Sequence, residues 1–171
     1  MENVFMDCWN LTSIDVSKFD TSLVTSFAYM LCKYMEIISI DASNFKATNA
    51  IQINDMFSYC YKLISIKLSN FNTSKVKNMQ GVFFLSRNIK FIDFQLFSDT
   101  SVNNIKLIFE YCSNILYLNL RKFISTNSNN LNYQEFFVFH PSNIKNCIED
   151  PNKKNIIISD KTNDCSDFCF Q

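Results

Sequence analysis

The chain has 171 residues, of which 47% are apolar and 19% charged; this composition is typical of a folded protein and excludes an intrinsically disordered chain. Sixteen basic side chains balance sixteen acidic ones, so no overall positive field favours nucleic acid or an anionic membrane surface as a partner. No stretch reaches the roughly 18 to 20 apolar residues that cross a bilayer, and the first residues lack the pattern of a secretion signal.

An apolar pattern recurs along the chain at a step of 26 residues, without insertion or deletion. A fixed period of this length predicts a solenoid, in which each repeat buries its apolar side only against its neighbours. Three columns of equivalent residues carry the pattern: Phe19, Phe45, Phe71, Phe97 and Phe123; Ile14, Ile40, Ile66, Ile92 and Leu118; and Leu11, Ile37, Leu63, Ile89 and Ile115.

The first repeat begins at about Val4 and defines the elements expected in the others. Its residues 11–19 read L-x-x-I-x-V-x-x-F, a spacing of three and then two that predicts a short strand entered through a turn. Asp20-Thr21-Ser22 can cap free backbone N–H groups, and apolar steps of three follow, which predicts one or two turns of α or 3₁₀ helix. The remaining inward positions of this repeat are Phe5, Cys8 and Val24.

The later repeats keep this frame until the pattern ends. The third repeat, from Cys60 to Met79, is the most regular, and the fourth has Ser86 in the position of Cys60. The fifth repeat runs into the polar residues 125–130, and Glu135 stands where the next Phe is expected. With one Gly and two Pro in the chain, the bends are predicted to use Asn, Ser and Asp, of which Asn and Asp tolerate positive φ.

The predicted fold is an α/β solenoid of about five 26-residue coils over residues 1–133, with a parallel strand ladder and short α or 3₁₀ helices. Residues 134–171 differ in composition, contain three cysteines and are predicted to cap the last coil. Met1 lies three periods before Met79, so the solenoid is expected to start within a repeat, as a fragment of a longer protein would. Strands of adjacent coils lie about 4.8 Å apart, so the five Phe rings of the first column are expected to stack.

The third repeat also carries a string that is found in a repeat family, F-x-x-C-x-x-L-x-x-I-x-L-S-x-F-x-T-S-x-V-x-x-M. It closely resembles the 26-residue BspA-like leucine-rich repeats of bacterial and protist surface proteins, over about residues 1–133. The resemblance implies a leucine-rich-repeat solenoid at the cell surface or outside the cell, often linked to adhesion. It implies no catalytic residue and no cofactor. In this chain the string consists of Phe57, Cys60, Leu63, Ile66, Leu68, Ser69, Phe71, Thr73, Ser74, Val76 and Met79.

The concave strand face is the predicted binding surface. It turns aromatic toward its C-terminal half, and exposed aromatic side chains on a sheet favour recognition of a partner. The acidic residues Asp41 and Asp93 on this face could instead belong to an ordinary solvated surface of mixed charge. The two outward columns are Ser39, Ser65, Phe91 and Tyr117, and Asp41, Lys67, Asp93 and Asn119.

The cysteines divide into two groups. Cys8, Cys60 and Cys112 are two coils apart, roughly 10 Å, which exceeds the Cα separation of about 7 Å that a disulfide spans, and they are predicted to be small buried hydrophobes. In the predicted cap, one disulfide is expected, with zinc binding less favoured because the short C-x₂₋₄-C pairs are only half present. No metal site is predicted. The disulfide candidates are Cys147, Cys165 and Cys169.

The remaining candidate residues do not indicate a catalytic site. His140, followed by Pro141, is predicted to be a turn or surface residue, since no nucleophile accompanies it. Asn10 and Asn72 begin glycosylation sequons, which matter only if the chain is secreted.

Two functions are consistent with these patterns. The first is a non-enzymatic, surface or secreted recognition or adhesion module that binds a protein or glycan through the concave strand face. The second is a structural protein whose solenoid ends or edges stack on neighbouring subunits, because an uncapped coil exposes strand edges that pair readily. An enzyme is not expected, since no motif brings a nucleophile, a base and an orienting group together.

Overall fold

Five short parallel strands form one sheet in a computed structural model, which describes residues 1–33, 36–93, 96–98 and 100–119 and the backbone of 145–147. Ser39 pairs with Ser65 and Phe91 with Tyr117, so β1 to β4 follow one another in register at the predicted step. The parallel strand ladder is therefore confirmed, and its spacing is consistent with a repeat solenoid. In chain order the strands are β1 (Ser39–Asp41), β2 (Ser65–Lys67), β3 (Phe91–Asp93), β4 (Tyr117–Asn119) and β5 (Lys145–Cys147).

Each of the first four strands is short because one apolar residue is flanked by two outward ones and a turn follows. The central residue of β1, Ile40, is buried, whereas Ser39 and Asp41 are exposed, as the alternation of a strand requires. Asp41 then ends the strand: its Oδ1 accepts the backbone N–H of Ser43 at 3.1 Å, and Phe45 N–H donates to the Ala42 carbonyl at 3.0 Å.

The predicted helices are absent from the described part of the chain, and extended hydrogen bonding between repeats replaces them. In a helix each N–H bonds four residues back. Here Tyr29 N–H donates to the Asn54 carbonyl at 3.0 Å and Leu31 N–H to the Met56 carbonyl at 3.0 Å, both in the next repeat. A second parallel ladder of single bridges joins Ser26, Gln52, Asn78 and Asn104. The prediction of helices from apolar residues at every third position was therefore wrong, because alternate backbone N–H groups of this segment bond to the next repeat and not within the segment.

Two positions in each repeat, four residues apart, have positive φ and keep the segment from becoming helical. The prediction that Asn, Ser and Asp make the bends is only partly right, since Tyr and Leu occupy several of these positions. Left-handed backbone costs roughly 1 to 2 kcal/mol for such residues, and the hydrogen bonds between repeats offset it. The two columns are Asn3, Tyr29, Asp55, Gly81 and Leu107, and Asp7, Lys33, Tyr59, Leu85 and Tyr111.

The core contains two columns of aromatic rings where the sequence predicted one. In the predicted column, Phe71 lies 5.7 Å from Phe97 between ring centroids, but Phe27 packs against both Phe45, at 5.9 Å, and Phe71, at 5.3 Å. The expected plain stack of equivalent rings is therefore wrong for this part, and Phe123 lies outside the described residues. The second column is a true stack, with centroid distances of 5.4 and 5.8 Å, and consists of Phe57, Phe83 and Phe109.

The cysteine column supplies hydrogen-bond donors to the core, which adds to its predicted role as a ladder of small apolar groups. Cys60 Sγ lies 3.2 Å from the Leu31 carbonyl, and Cys112 Sγ lies 2.9 Å from the Phe83 carbonyl. Ser86 takes the same position in the repeat between them, and its hydroxyl donates to the Phe57 carbonyl at 2.6 Å. The shared property of this position is thus a small donor aimed at a buried carbonyl of the preceding repeat.

Ser86→Ala is expected to lower the free energy of unfolding by about 1 to 3 kcal/mol, because it leaves the buried Phe57 carbonyl without this donor. Ser86→Cys is the matched control and should cost less, since a thiol makes the equivalent bond in the repeats on either side. Chemical denaturation of the two variants checks this. Equal losses for alanine and cysteine would show that the donor at this position contributes nothing.

The first repeat packs less completely than the ones after it. Leu11 and Ile14 are partly buried, whereas their equivalents Ile37 and Ile40 are buried. Cys8, predicted to be buried, is exposed, whereas its equivalents Cys60 and Cys112 are buried against carbonyls of the repeat before them.

The predicted cap contributes β5 to the sheet: Tyr117 pairs with Lys145 and Asn119 with Cys147. The rest of the predicted cap, including Cys165 and Cys169, lies outside the described residues, as does His140. Within the described residues, Cys8, Cys32, Cys60 and Cys112 are free thiols. No helix of sufficient length and hydropathy to cross a membrane occurs in the described ranges.

Candidate binding surface

The outward positions of β1 to β4 bring all eight predicted binding residues onto one surface, here named the strand face. Strand alternation places the residues on either side of each buried central residue outward, and the parallel register aligns equivalent ones. Asn119 is the exception to the predicted exposure, since only 6% of it is accessible. The residues of the strand face are Ser39, Ser65, Phe91 and Tyr117, and Asp41, Lys67, Asp93 and Asn119.

The polar column of the strand face is bonded from repeat to repeat. Lys67 Nζ lies 3.1 Å from Asp41 Oδ2, and the Asn119 amide donates to Asp93 Oδ1 at 3.0 Å. Hydrogen bonds from the Ser43 side chain and backbone, followed by Lys67, lower the pKa of Asp41 to about 2. Asp41 is therefore ionised throughout the physiological range. Among the described residues, no group of three or more His, Cys, Asp or Glu side chains is placed to hold a metal ion.

Apolar side chains accompany the polar column and are unusually exposed. Phe91, in the middle of the sheet, is 53% exposed and is paired in register with Tyr117. Ile38, Ile64 and Leu116 form a further exposed column just before β1, β2 and β4. Sequence reasoning missed this column, although apolar residues at the same 26-residue step, directly beside the inward Ile37, Leu63 and Ile115, were the available signal.

The sheet opens between β2 and β3. β1 and β2 pair at three positions, as do β3 and β4, but β2 and β3 pair only at Ser65 and Phe91. Beyond this pair lies a cavity of about 290 Å³. The residues that line it are Ile66, Lys67, Leu68, Ser69, Asp93 and Leu96.

One backbone hydrogen bond of the ladder is missing at this opening. At the equivalent point between β1 and β2, Ala42 N–H donates to the Lys67 carbonyl at 3.0 Å. In the described residues, the equivalent backbone bond from Leu68 N–H to the Asp93 carbonyl is absent. The ladder between repeats is therefore interrupted at the end of β2.

A second aromatic cluster, which the sequence did not suggest, lies away from the strands. Tyr59 packs edge-on against Tyr61, at 6.1 Å, and Phe84, at 5.4 Å, and Phe84 packs against Tyr111 at 5.9 Å. Arg87 lies over the Tyr61 ring at 5.6 Å. The rings of this cluster are therefore partly covered by one another and by Arg87.

The predicted glycosylation sites are accessible. Asn10 and Asn72 are both exposed, whereas Thr73, within the second sequon, is buried. Asn72 Oδ1 also accepts the Ser74 N–H at 2.9 Å, which fixes its side chain in a turn.

Comparison with known proteins gives one family and no further relatives. The sequence profile of a family described as "Mycoplasma protein of unknown function, DUF285" matches residues 1–123 and, in an overlapping second match, residues 32–149. No curated protein and no solved structure matches the chain significantly. The predicted membership of the BspA-like leucine-rich-repeat family is wrong, because this other family is the one whose profile the repeats fit. Surface display and adhesion, which that resemblance alone implied, lose their support.

Proposed function

Because the chain belongs to the Mycoplasma proteins of unknown function DUF285, whose description names no activity, we propose a function from the geometry of the surface alone. The chain is a solenoid of 26-residue coils that acts as a non-enzymatic recognition module. It binds a protein or a glycan through the strand face. The observation that carries this proposal is the exposure of Phe91, 53% accessible at the centre of a sheet whose neighbouring strand presents Tyr117.

A partner that covers the exposed apolar side chains of the strand face lowers the free energy, because it removes their contact with water. An exposed apolar surface gains roughly 25 cal/mol for each Å² that a partner covers. Aromatic residues are enriched where proteins meet their partners, whereas charged residues are depleted from the centres of such surfaces. On the strand face the aromatic pair Phe91 and Tyr117 lies beside the column that contains Asp41, Lys67 and Asp93, and Lys67 and Asp41 pair with each other.

Phe91→Ser is expected to abolish binding by this surface without unfolding the protein, because the ring is largely in solvent. The wild-type chain is used to select ligands from a displayed peptide library and from a glycan array, and each selected ligand is then titrated against the variant. Losses of at least about tenfold are expected, the equivalent of 1.4 kcal/mol. Leu23→Ser is the matched control, since Leu23 is 84% exposed and lies outside the strand face.

Three outcomes would count against recognition by the strand face. The first is that neither the peptide library nor the glycan array returns a ligand. The second is that the ligands bind Phe91→Ser as well as the wild type, and the third is that Leu23→Ser weakens binding equally. Any of these results would mean that exposure of the ring has no part in binding.

A specific observation also favours assembly as a second candidate function. β1 is the edge strand of the sheet, and within the described residues only β2 pairs with it. Such an edge exposes backbone groups that can pair with another chain, and the adjacent Ile38 is 56% exposed. Light scattering over a range of protein concentrations separates the two functions, since a monodisperse monomer at every concentration contradicts assembly.

A further inference from the structure

We propose that the strand face binds the strand face of a second copy of this chain in antiparallel order, with β1 opposite β4 and β2 opposite β3. This inference rests on the proposed function, because it names the partner of the same surface. A two-fold axis that runs parallel to the strands, between β2 and β3, produces this arrangement. Each contact of the interface then occurs twice, with the two copies exchanged.

The strand face is only weakly curved, so a copy of itself can lie along its whole length. The opposite side of each repeat is also bonded to the next one: Tyr29 N–H donates to the Asn54 carbonyl at 3.0 Å, and Gly81 N–H to the Lys106 carbonyl at 2.9 Å. Because hydrogen-bonded neighbours of this kind lie about 4.8 Å apart on both sides, the repeats stack without a strong wedge between them.

Side chains of unlike size face each other in the antiparallel order. β1 and β2 present Ser39 and Ser65 in the column where β3 and β4 present Phe91 and Tyr117. Rotation about the proposed axis keeps each column opposite itself and reverses the order of the strands. Ser65 therefore lies opposite Phe91 of the second copy, and Ser39 opposite Tyr117, so that each ring meets a small side chain.

The column just before the strands is apolar at three of its four positions. Ile38, Ile64 and Leu116 are 56%, 36% and 47% exposed. The same rotation places Ile38 opposite Leu116, and Ile64 opposite Lys90, whose aliphatic stem can cover it. The whole face measures roughly 20 Å by 20 Å, at the low end of specific interfaces. We therefore expect a weak dimer, with a dissociation constant of about 10 µM to 1 mM.

The charge of the chain divides along the stack of repeats. Residues 1–59 have seven acidic and three basic side chains, a net charge of minus four, whereas residues 60–119 have three acidic and seven basic ones, a net charge of plus four. Two ion pairs join these halves, and without them the net charges are still minus two and plus two. The two pairs are Lys62–Glu36 and Lys67–Asp41.

This division of charge favours the antiparallel order and a second copy as the partner. A two-fold axis along the stack would instead place β1 opposite β1 and bring halves of like charge together. Packed sheets lie about 10 Å apart, close to the screening length of about 8 Å at physiological salt, so the halves act on each other. A partner of uniform charge would match only one half of the face, whereas an antiparallel copy matches both.

Sedimentation velocity of the full chain over a range of protein concentrations tests the dimer. A monomer–dimer equilibrium is expected that weakens at high salt, because salt screens the attraction between the halves. Ser65→Phe and Phe91→Ser should each weaken the dimer by at least about tenfold, the first because two rings then collide and the second because the ring is lost. Leu23→Ser is the matched control and should dimerise as the wild type does, since Leu23 is 84% exposed and lies outside the strand face.

An equimolar mixture of Ser65→Phe and Phe91→Ser tests the antiparallel order itself. In the mixed dimer both contacts between positions 65 and 91 again join one ring to one small side chain. The affinity of the mixture is therefore expected to return to within about threefold of the wild type. A mixture that dimerises no better than its separate components would show that the two positions do not face each other, and the proposed order would be wrong.

Two further results overturn this inference: a monomer at every concentration, and an oligomer that Phe91→Ser leaves unchanged, which indicates assembly through the β1 edge instead. The proposed function fails separately. If the protein is monomeric but ligands from the peptide library or glycan array lose affinity on Phe91→Ser, the strand face recognises another molecule. Melting curves of Ser65→Phe and Phe91→Ser exclude unfolding as the cause of a lost dimer, since both positions point outward.

Discussion

Phe71→Ala is expected to lower the free energy of unfolding by about 3 to 5 kcal/mol, the usual cost of removing a buried aromatic side chain. The ring is 1% exposed and contacts Phe27 and Phe97, at 5.3 and 5.7 Å, so its loss leaves a cavity between two repeats. For a chain of this size the melting temperature should fall by roughly 6 to 20 °C.

The control for this prediction is Phe91→Ala, which removes the same atoms from an exposed position. Because Phe91 is 53% exposed, its loss should cost less than about 1 kcal/mol. Thermal and chemical unfolding of the two variants measure the difference. Equal destabilisation by the two changes would show that Phe71 has no special part in the core.

Gly81→Ala is expected to cost about 2 to 4 kcal/mol, from backbone strain together with a collision. Gly81 has a φ of 61°, and a Cβ built on it would lie 2.5 Å from Asp55 Oδ1 in the preceding repeat. Tyr29, Asp55 and Leu107 occupy equivalent positions with positive φ. The backbone alone therefore does not demand glycine, and the Asp55 carboxylate is the reason for it.

A double-mutant cycle with Asp55→Gly separates the two contributions. Burial raises the pKa of the Asp55 carboxyl, although hydrogen bonds from Asn54 and Tyr29 act in the opposite direction. When that side chain is removed, Gly81→Ala should cost only the strain of left-handed backbone, about 1 to 2 kcal/mol. Urea unfolding of all four proteins gives the coupling energy. A coupling of zero would show that the carboxylate does not restrict position 81.

Sequence reasoning located the strand positions but not the elements that connect them. The 26-residue columns placed Ile40, Ile66, Ile92 and Leu118 at the centres of the strands, where they are buried. The steps of three around Phe27 suggested a helix instead of the ladder that is present. Periodicity reports which residues point inward; it does not report whether an N–H bonds within its own repeat or to the next one.

The sequence likewise predicted only part of the candidate binding surface. The outward columns of the strand face followed from alternation along each strand. The exposed Ile38 and Ile64, the opening at Leu68 and the cavity beside Asp93 did not, because they depend on how far two strands with equivalent sequences stay paired.

By itself, the sequence determined the repeat length, the identity of most buried residues and the direction of each strand side chain, since all three depend on local spacing. Only the tertiary structure decided that Phe27 packs between Phe45 and Phe71, that the Cys60 position is a donor to the preceding repeat, and that β2 separates from β3 after one pair. The physical reason is that packing and hydrogen bonds between repeats join residues about 26 positions apart, and a spacing rule within one repeat holds no information on how closely two repeats approach.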